Sequence, residues 1–221
     1  MPSPILITLD GNIGAGKSTL LEAIRVNIPS VSVIPEPVGE WLTMTNEHGE
    51  SLLSLFYSDK RRWAYTFQNC AVLTRLIDTM KIIKEYEADT SRPRVIITER
   101  SVLTDRYVFA EMLHKQGILD QLEWNLYLKW FNHFAADLPV KGIIHLATSA
   151  STSKDRIGIR GRTGEESIPI EYLNDLDEQH QTWIRTSNLP TIQITTEPGS
   201  DTQAILEQIK DWLKTHFSES T

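Results

Sequence analysis

The stretch that most constrains this chain is Gly11 to Ser18, read as Gly-Asn-Ile-Gly-Ala-Gly-Lys-Ser. An apolar run of strand length, Ile5 to Leu9, precedes it, and Leu20, Leu21 and Ile24 follow at helical spacing. Strand, glycine-rich turn and helix in that order make a P-loop. A triphosphate carries several negative charges, and only backbone without Cβ atoms curls closely enough to aim successive N–H groups at its oxygens, which is the use of Gly11, Gly14 and Gly16. The helix start adds unpaired N–H groups and the positive end of its dipole. Lys17 supplies a mobile charge for the β and γ phosphates, and the Ser18 hydroxyl can ligate Mg²⁺. Gly11, Asn12, Ile13, Gly14, Ala15, Gly16, Lys17, Ser18 and Thr19 are therefore the expected phosphate cradle.

At 221 residues and 40% hydrophobic content, the chain can bury one core within the range of a single domain. A formal charge of −7 argues against a nucleic-acid partner held along its phosphates. The one cysteine, Cys70, precludes an internal disulfide and points to a reducing compartment; it reads as buried packing. Met-Pro-Ser-Pro runs directly into the first strand, which leaves no room for a signal or transit peptide. No apolar run approaches the roughly 20 residues needed to cross a bilayer. The expectation is a soluble, cytoplasmic protein with no membrane association.

Further strands are expected at Val31–Ile34, Val95–Thr98, Gly142–Ala147 and Thr191–Thr195. Helices are expected at Ser51–Tyr57, Lys60–Tyr86, Val102–His114, Leu119–Phe134, Pro169–Ile184 and Thr202–Phe217. Strands alternating with helices imply parallel pairing and right-handed crossovers. The fold class is thus α/β, a P-loop NTPase-type parallel sheet of about five strands with helices on both faces. Glu36, placed before a proline, is pushed toward extended geometry at the carboxyl end of the second strand. Glu99-Arg100 follows the third strand, so three elements suited to phosphate chemistry meet at the sheet edge where ligands bind.

Gly11 to Thr19, Glu36-Pro37-Val38 with Trp41, Phe67-Gln68, Glu99-Arg100-Ser101 with Asp105-Arg106-Tyr107, and Arg156-x-x-x-Arg160-x-Arg162 with Glu165 together resemble the deoxyribonucleoside kinases. The match spans nearly the whole chain and keeps motif order, which implies one kinase domain over residues 1–221 with an arginine-rich lid over about 151–168. The resemblance implies an ATP donor, Mg²⁺, nucleotide salvage and a homodimer. Glu36 is the implied general base, since a carboxylate in reach of a 5′-hydroxyl can orient it and take its proton. Glu99 completes a Mg²⁺ site with Ser18. Arg100 is similar to the family arginine near the reacting hydroxyl and phosphate. Arg156, Arg160 and Arg162 are the implied lid cations over the donor phosphates, guanidinium suiting the spread charge of a transferring phosphoryl group. Tyr57 and Glu165 match positions that hold the sugar 3′-hydroxyl, with Glu166 adjacent to Glu165. Lys17, Glu36, Arg100, Arg160 and Arg162 form the expected catalytic set.

Gln68, Ala71 and Arg75 share one face of the long helix, and Asp105 can reach the same face. A Gln amide matches a ring nitrogen beside an exocyclic amine, and a carboxylate can only accept, with Arg75 holding it ionised. Thymine would set acceptor against acceptor, at a cost on the order of 1 to 3 kcal/mol. This set resembles the deoxycytidine and deoxyguanosine kinase branch, so deoxycytidine, deoxyadenosine and deoxyguanosine are expected ahead of thymidine. Val38, Trp41, Leu53, Phe56, Phe67 and Phe109 are the expected apolar walls of the base pocket. The six histidines show no metal-ligand spacing, and Trp124, Trp130, Trp183 and Trp212 read as core or subunit contacts. A thymidylate-type monophosphate kinase shares the P-loop and an Asp-Arg-Tyr triplet, but Glu36 would stand where a substrate phosphate needs an arginine. A nucleotide-dependent binding switch is disfavoured because no Asn-Lys-x-Asp motif occurs.

Overall fold

The computed structural model describes residues 3–217; Met1, Pro2 and residues 218–221, including the first half of the Met-Pro-Ser-Pro start, lie outside the described residues. Five strands, β1 (Ile5–Gly11), β2 (Val31–Ile34), β3 (Val95–Glu99), β4 (Val140–Ala147) and β5 (Thr191–Thr195), form one sheet. Its order is β2-β3-β1-β4-β5 and every pairing is parallel. Leu9 pairs with Glu99 and Gly11 with Leu146, so β1 is central and the P-loop leaves it where the strand order reverses. That switch point opens the crevice in which open α/β sheets hold their ligands.

The helices are α1 (Lys17–Asn27), α2 (Val38–Thr43), α3 (Leu52–Ser58), α4 (Lys60–Ala88), α5 (Val102–Thr104), α6 (Glu111–Lys115), α7 (Gln121–Phe134), α8 (Ala150–Arg160), α9 (Ile170–Thr186) and α10 (Thr202–Phe217). Alternation along β1 decides the layering. Ile7 and Leu9 join Leu20, Leu21 and Ile24 of α1 and Leu206, Ile209 and Trp212 of α10 in one core cluster. On the opposite face Ile143 packs with Leu173, Leu176 and Trp183 of α9. Helices thus cover both faces of the sheet. A third cluster joins Leu53 and Phe56 of α3, Phe67 and Ala71 of α4, and Trp124, Tyr127 and Phe131 of α7 beside the sheet.

Local chemistry sets the helix starts. Ser51 accepts the Ser54 amide at 3.2 Å, Asp59 that of Arg62 at 3.1 Å, and Asp120 forms a capping box with Glu123. The expected helix from Val102 to His114 is interrupted: Asp105–Ala110 is a π-helical turn between α5 and α6. Such wide turns rest on tertiary partners, which residue spacing does not report. Helices α2 and α8 also go beyond the elements expected outright. Cys70, expected in packing, is only half-buried, its sulfur 3.4 Å from that of Met44. Trp124, Trp183 and Trp212 are buried, whereas Trp130 is 50% exposed.

Candidate active site

One cavity of about 650 Å³ runs from the P-loop to the inner face of α4. At its phosphate end Gly11, Gly14 and Gly16 adopt φ of 139°, 80° and 90°, the region glycine enters without a Cβ penalty. Ile13, Gly14, Ala15, Gly16, Lys17, Ser18 and Thr19 line the cavity. Gly11 and Asn12 stand behind the cradle. The Asn12 amide donates to the Leu173 carbonyl at 2.8 Å and accepts the Ile13 amide at 2.9 Å, so it braces the loop against α9. Lys17 Nζ donates to the carbonyls of Asn12 at 2.6 Å and Gly11 at 3.2 Å. Burial, with Arg100 adding repulsion, brings its ammonium down to about 7.

The Ser18 hydroxyl donates to Glu99 Oε1 at 2.9 Å. A hydroxyl and a carboxylate are hard oxygen donors, a set that fits Mg²⁺ completed by water and phosphate oxygens. Among the described residues no group of three or more His, Cys, Asp or Glu gathers for a metal.

Glu36 meets two guanidinium groups on one oxygen: Arg100 Nη1 at 2.5 Å and Arg75 Nη2 at 2.7 Å. Burial pushes this carboxyl up, but the charges of Arg100, Arg75 and Lys17 outweigh it and hold the group well below the usual carboxylate range. Arg75 also grips both Asp105 oxygens, at 3.0 and 3.1 Å, and donates to the Glu99 carbonyl at 3.0 Å. Burial pushes the Asp105 carboxyl up to about 6, with Arg75 acting against that rise. Arg100 is the single non-glycine residue with positive φ (59°) among those described, a strain of order 1 to 3 kcal/mol that surrounding contacts must hold. Asp10, singled out by no sequence signal, anchors the turn that follows Arg100. Fully buried, it accepts Thr104 Oγ1 at 2.7 Å, and Thr104 in turn accepts the Ser101 amide at 3.0 Å. The π-helical turn that follows brings Asp105 and Phe109, four residues apart, to the cavity wall together.

Gln68, 1% exposed, lines the far end with an Oε1 that has no hydrogen-bond partner. Trp41, Leu53, Tyr57, Phe67 and Ala71 stand around it. Two expected wall residues do not reach the cavity. Phe56 stacks behind Phe67 with ring centroids 4.6 Å apart, because α3 turns that side chain into the core. Val38 packs into the same cluster at the start of α2. The Tyr57 phenol is raised well above its ordinary value by burial, then by Tyr172 and Glu165, so it is a hydrogen-bond donor.

The arginine-rich segment is α8 followed by a loop. Arg156, Arg160 and Arg162 all line the cavity. Gly161 ends α8 with φ of 59°, and the chain turns so that Arg160 and Arg162 both pair with Glu165, Arg162 at 3.0 Å. Glu165 is 3% exposed and faces the cavity; Glu166 is exposed and accepts the Gly164 amide at 2.8 Å. Lys154 donates to the carbonyls of Glu166 and Ile168 and folds this loop back onto α8. Sequence reasoning also missed Thr196, Glu197, Pro198, Gly199, Ser200 and Thr202, which form the cavity's other end beyond the P-loop. The signal available was position alone: the segment follows β5 at the ligand-binding edge.

A family model described as deoxynucleoside kinase matches residues 7–217. Deoxycytidine kinase of Homo sapiens is 31% identical over 237 residues, covering 95% of this chain and 91% of the relative. Deoxycytidine kinase 2 of Gallus gallus is 37% identical over 194 residues, or 80% and 73% of the two chains. The mitochondrial deoxyguanosine kinase of Xenopus laevis is 31% identical over 192 residues, or 80% and 72%.

Proposed function

The chain belongs to the deoxynucleoside kinase family, and from that premise we propose that it transfers the γ-phosphoryl group of ATP to the 5′-hydroxyl of deoxycytidine, deoxyadenosine or deoxyguanosine, ahead of thymidine. The observation that carries the base preference is the unpaired Gln68 Oε1 in one cavity with an Asp105 carboxylate gripped by Arg75. Both groups can accept from an exocyclic amine, and the Gln68 NH₂ can donate to the neighbouring ring nitrogen. Trp41 and Phe67 flank the base plane, and Tyr57 with Glu165 takes the sugar 3′-hydroxyl.

The O5′–Pγ bond forms as the bond from Pγ to the β,γ-bridging oxygen breaks, and the O5′ proton passes to Glu36. A carboxylate held so acidic is a weak base toward a free alcohol. Its first task is to orient the hydroxyl, and it takes the proton late, once O5′ has lost electron density to phosphorus. Arg100 keeps Glu36 aimed, Lys17 leaves the P-loop carbonyls for the phosphates, and Arg156, Arg160 and Arg162 spread charge over the transferring group. Ser18 and Glu99 would hold Mg²⁺, which supplies further charge neutralisation at the β and γ phosphates.

We read residues 1–221 as one domain acting in the cytoplasm, without nucleic-acid or membrane partners; among the described residues no helix is long and apolar enough to cross a membrane. A homodimer is supported by exposed Leu122, Leu126, Trp130 and Phe134, four residues apart on α7, beside exposed Leu73, Ile77 and Met80 of α4. Sedimentation of Leu126→Asp, expected monomeric beside a dimeric parent, checks that face. A steady-state panel of the four deoxynucleosides with ATP and Mg²⁺ tests the main reading. Deoxycytidine should exceed thymidine in kcat/KM by about 5- to 150-fold, from one mismatched acceptor pair. Thymidine equal or better would overturn the base assignment, and deoxycytidine monophosphate as the better acceptor would overturn the nucleoside assignment.

A further inference from the structure

Helix α8 carries Arg156 and Arg160, yet its amino end is fastened to a distant segment. Ser149 is its N-cap and accepts the Thr152 amide at 3.2 Å. In a capping box the residue three further on would be Glu or Gln, reaching back to the N-cap amide. Here that residue is Thr152, whose hydroxyl is turned to donate to Glu197 of the β5–α10 loop, and the Glu197 carboxylate takes its place. The Glu197 carboxylate accepts the Ser149 amide at 2.6 Å, the Thr152 hydroxyl at 2.5 Å and the Ser149 hydroxyl at 3.3 Å. The capping box is thus completed from 48 residues away. The residue before it, Thr196, pairs with Thr148 at 2.5 Å and donates to the Ala15 carbonyl of the P-loop at 3.1 Å.

A second contact makes the geometry that of a lever. At Gly14, φ 80°, a Cβ would collide with the Ser153 carbonyl oxygen and press on Ile157 at 3.2 Å. The α8 backbone therefore rests directly on the P-loop at Ser153, one turn beyond the Glu197 anchor. Arg156 and Arg160 extend past that rest, Arg156 standing over Gly16 with Nη1 3.7 Å from where a Cβ would sit. At 1.5 Å per residue the arm from Ser153 to Arg160 is about 10 Å, so a tilt of about 10° moves the Arg160 backbone by about 2 Å. Misplacement of that size is enough to cost phosphoryl transfer heavily. Glu197 lines the cavity together with Gly199 and Ser200, so the anchor belongs to the loop that a donor nucleotide would touch beyond its phosphates.

We propose that Glu197 is a positioning residue for phosphoryl transfer: it pins the amino end of α8 to the β5–α10 loop and so sets where Arg156 and Arg160 stand over the P-loop. The proposal rests on the kinase reading above. It assigns Glu197 no contact with a reacting atom, only control of the helix that bears the lid cations.

The test compares Glu197→Ala, Glu197→Gln and Thr152→Val in the full chain, with ATP and deoxycytidine as substrates. Loss of a cap of this kind should lower kcat/KM for ATP by about tenfold in Glu197→Ala. Glu197→Gln, which keeps one acceptor for the Ser149 amide, should fall between, and Thr152→Val should lose part of the same effect. The double variant should lose less than the product of the two single losses, because both remove one contact. Deoxycytidine affinity without donor, measured by calorimetry, should stay within about twofold in every variant, since the acceptor end makes no contact with Glu197. A merely structural cap would lower Tm while leaving kcat/KM for ATP within about twofold, and that result overturns the proposal. Equal loss of nucleoside affinity overturns it too. An unaltered chain that phosphorylates no deoxynucleoside would overturn the kinase reading instead, which separates the two failures.

Discussion

The acceptor and donor ends of the cavity are built on opposite principles. At the acceptor end Glu36, Arg75, Arg100 and Asp105 are buried and already paired with one another, which leaves Gln68 Oε1 and Arg100 Nε as the atoms there without a hydrogen-bond partner. At the donor end the cations rest on substitutes: Lys17 on P-loop carbonyls, Arg160 and Arg162 on Glu165. The first end is preorganised, so an acceptor meets fixed dipoles and pays little reordering. The second holds cations close together only by giving each a temporary partner, which a polyanion must displace. Selectivity should therefore reside in the rigid end, and proton and conformational linkage in the other.

The largest expected effect breaks the rigid end. Glu36→Gln should lower kcat by at least about tenfold, and by as much as about 10⁴-fold, the range for losing a positioned proton acceptor. Calorimetric binding of deoxycytidine should persist, and near-normal turnover would remove Glu36 from the reaction. Next, Arg75→Met combined with Asp105→Ala removes the accepting carboxylate along with its counter-charge. The ratio of thymidine to deoxycytidine kcat/KM should rise by about 5- to 150-fold, one repaired acceptor clash. An unchanged ratio would move base selection away from this pair.

Acidity offers a milder probe of the same selectivity. The Asp105 carboxyl, pushed up to about 6, carries a proton below that pH and then presents a donor where the carboxylate only accepts. Preference for amine-bearing bases should narrow between pH 7.5 and 5, and competition assays at the two values measure it.

Stability under the donor end has its own pH signature. His145 and His180 lie buried beneath the P-loop with ring centroids 5.6 Å apart. Burial first, then the Lys17 charge, brings His145 down to about 4, and His180 shifts the same way. Between pH 6.5 and 4 the unfolded chain binds protons that the folded chain refuses, so stability falls as pH falls through that window and is unaffected above it. The loss from His145 amounts to about 3 kcal/mol at most. His145→Gln should flatten the decline of Tm with acidification; an unchanged slope would place the titration elsewhere. The smallest effect sharpens the donor end. With Lys17 brought down to about 7 before phosphates arrive and charged once they do, ATP binding at pH 8 should take up close to one proton, falling toward zero at pH 6. Calorimetry in buffers of different ionisation enthalpy reads that number directly.

What the amino-acid sequence determined by itself was whatever neighbouring residues decide together. Glycines at fixed offsets, a lysine and serine at a helix start, and an acid before a proline each specify their geometry within one turn of chain, and period-2 and period-3.6 patterning set the alternation of strands and helices. Parallel order at the carboxyl edge then brought Glu36, Glu99 and the P-loop to one place. Only the tertiary structure decided which faces met. Phe56 and Phe67 are both aromatic and near the site, but helix rotation put one behind the other. Asn12 braces α9, Lys154 folds the loop after α8 inward, and Glu197 caps a helix 48 residues before it. Each of these depends on contacts between segments far apart in the chain, whose geometry follows from packing the whole core and leaves no periodic trace in the residues themselves.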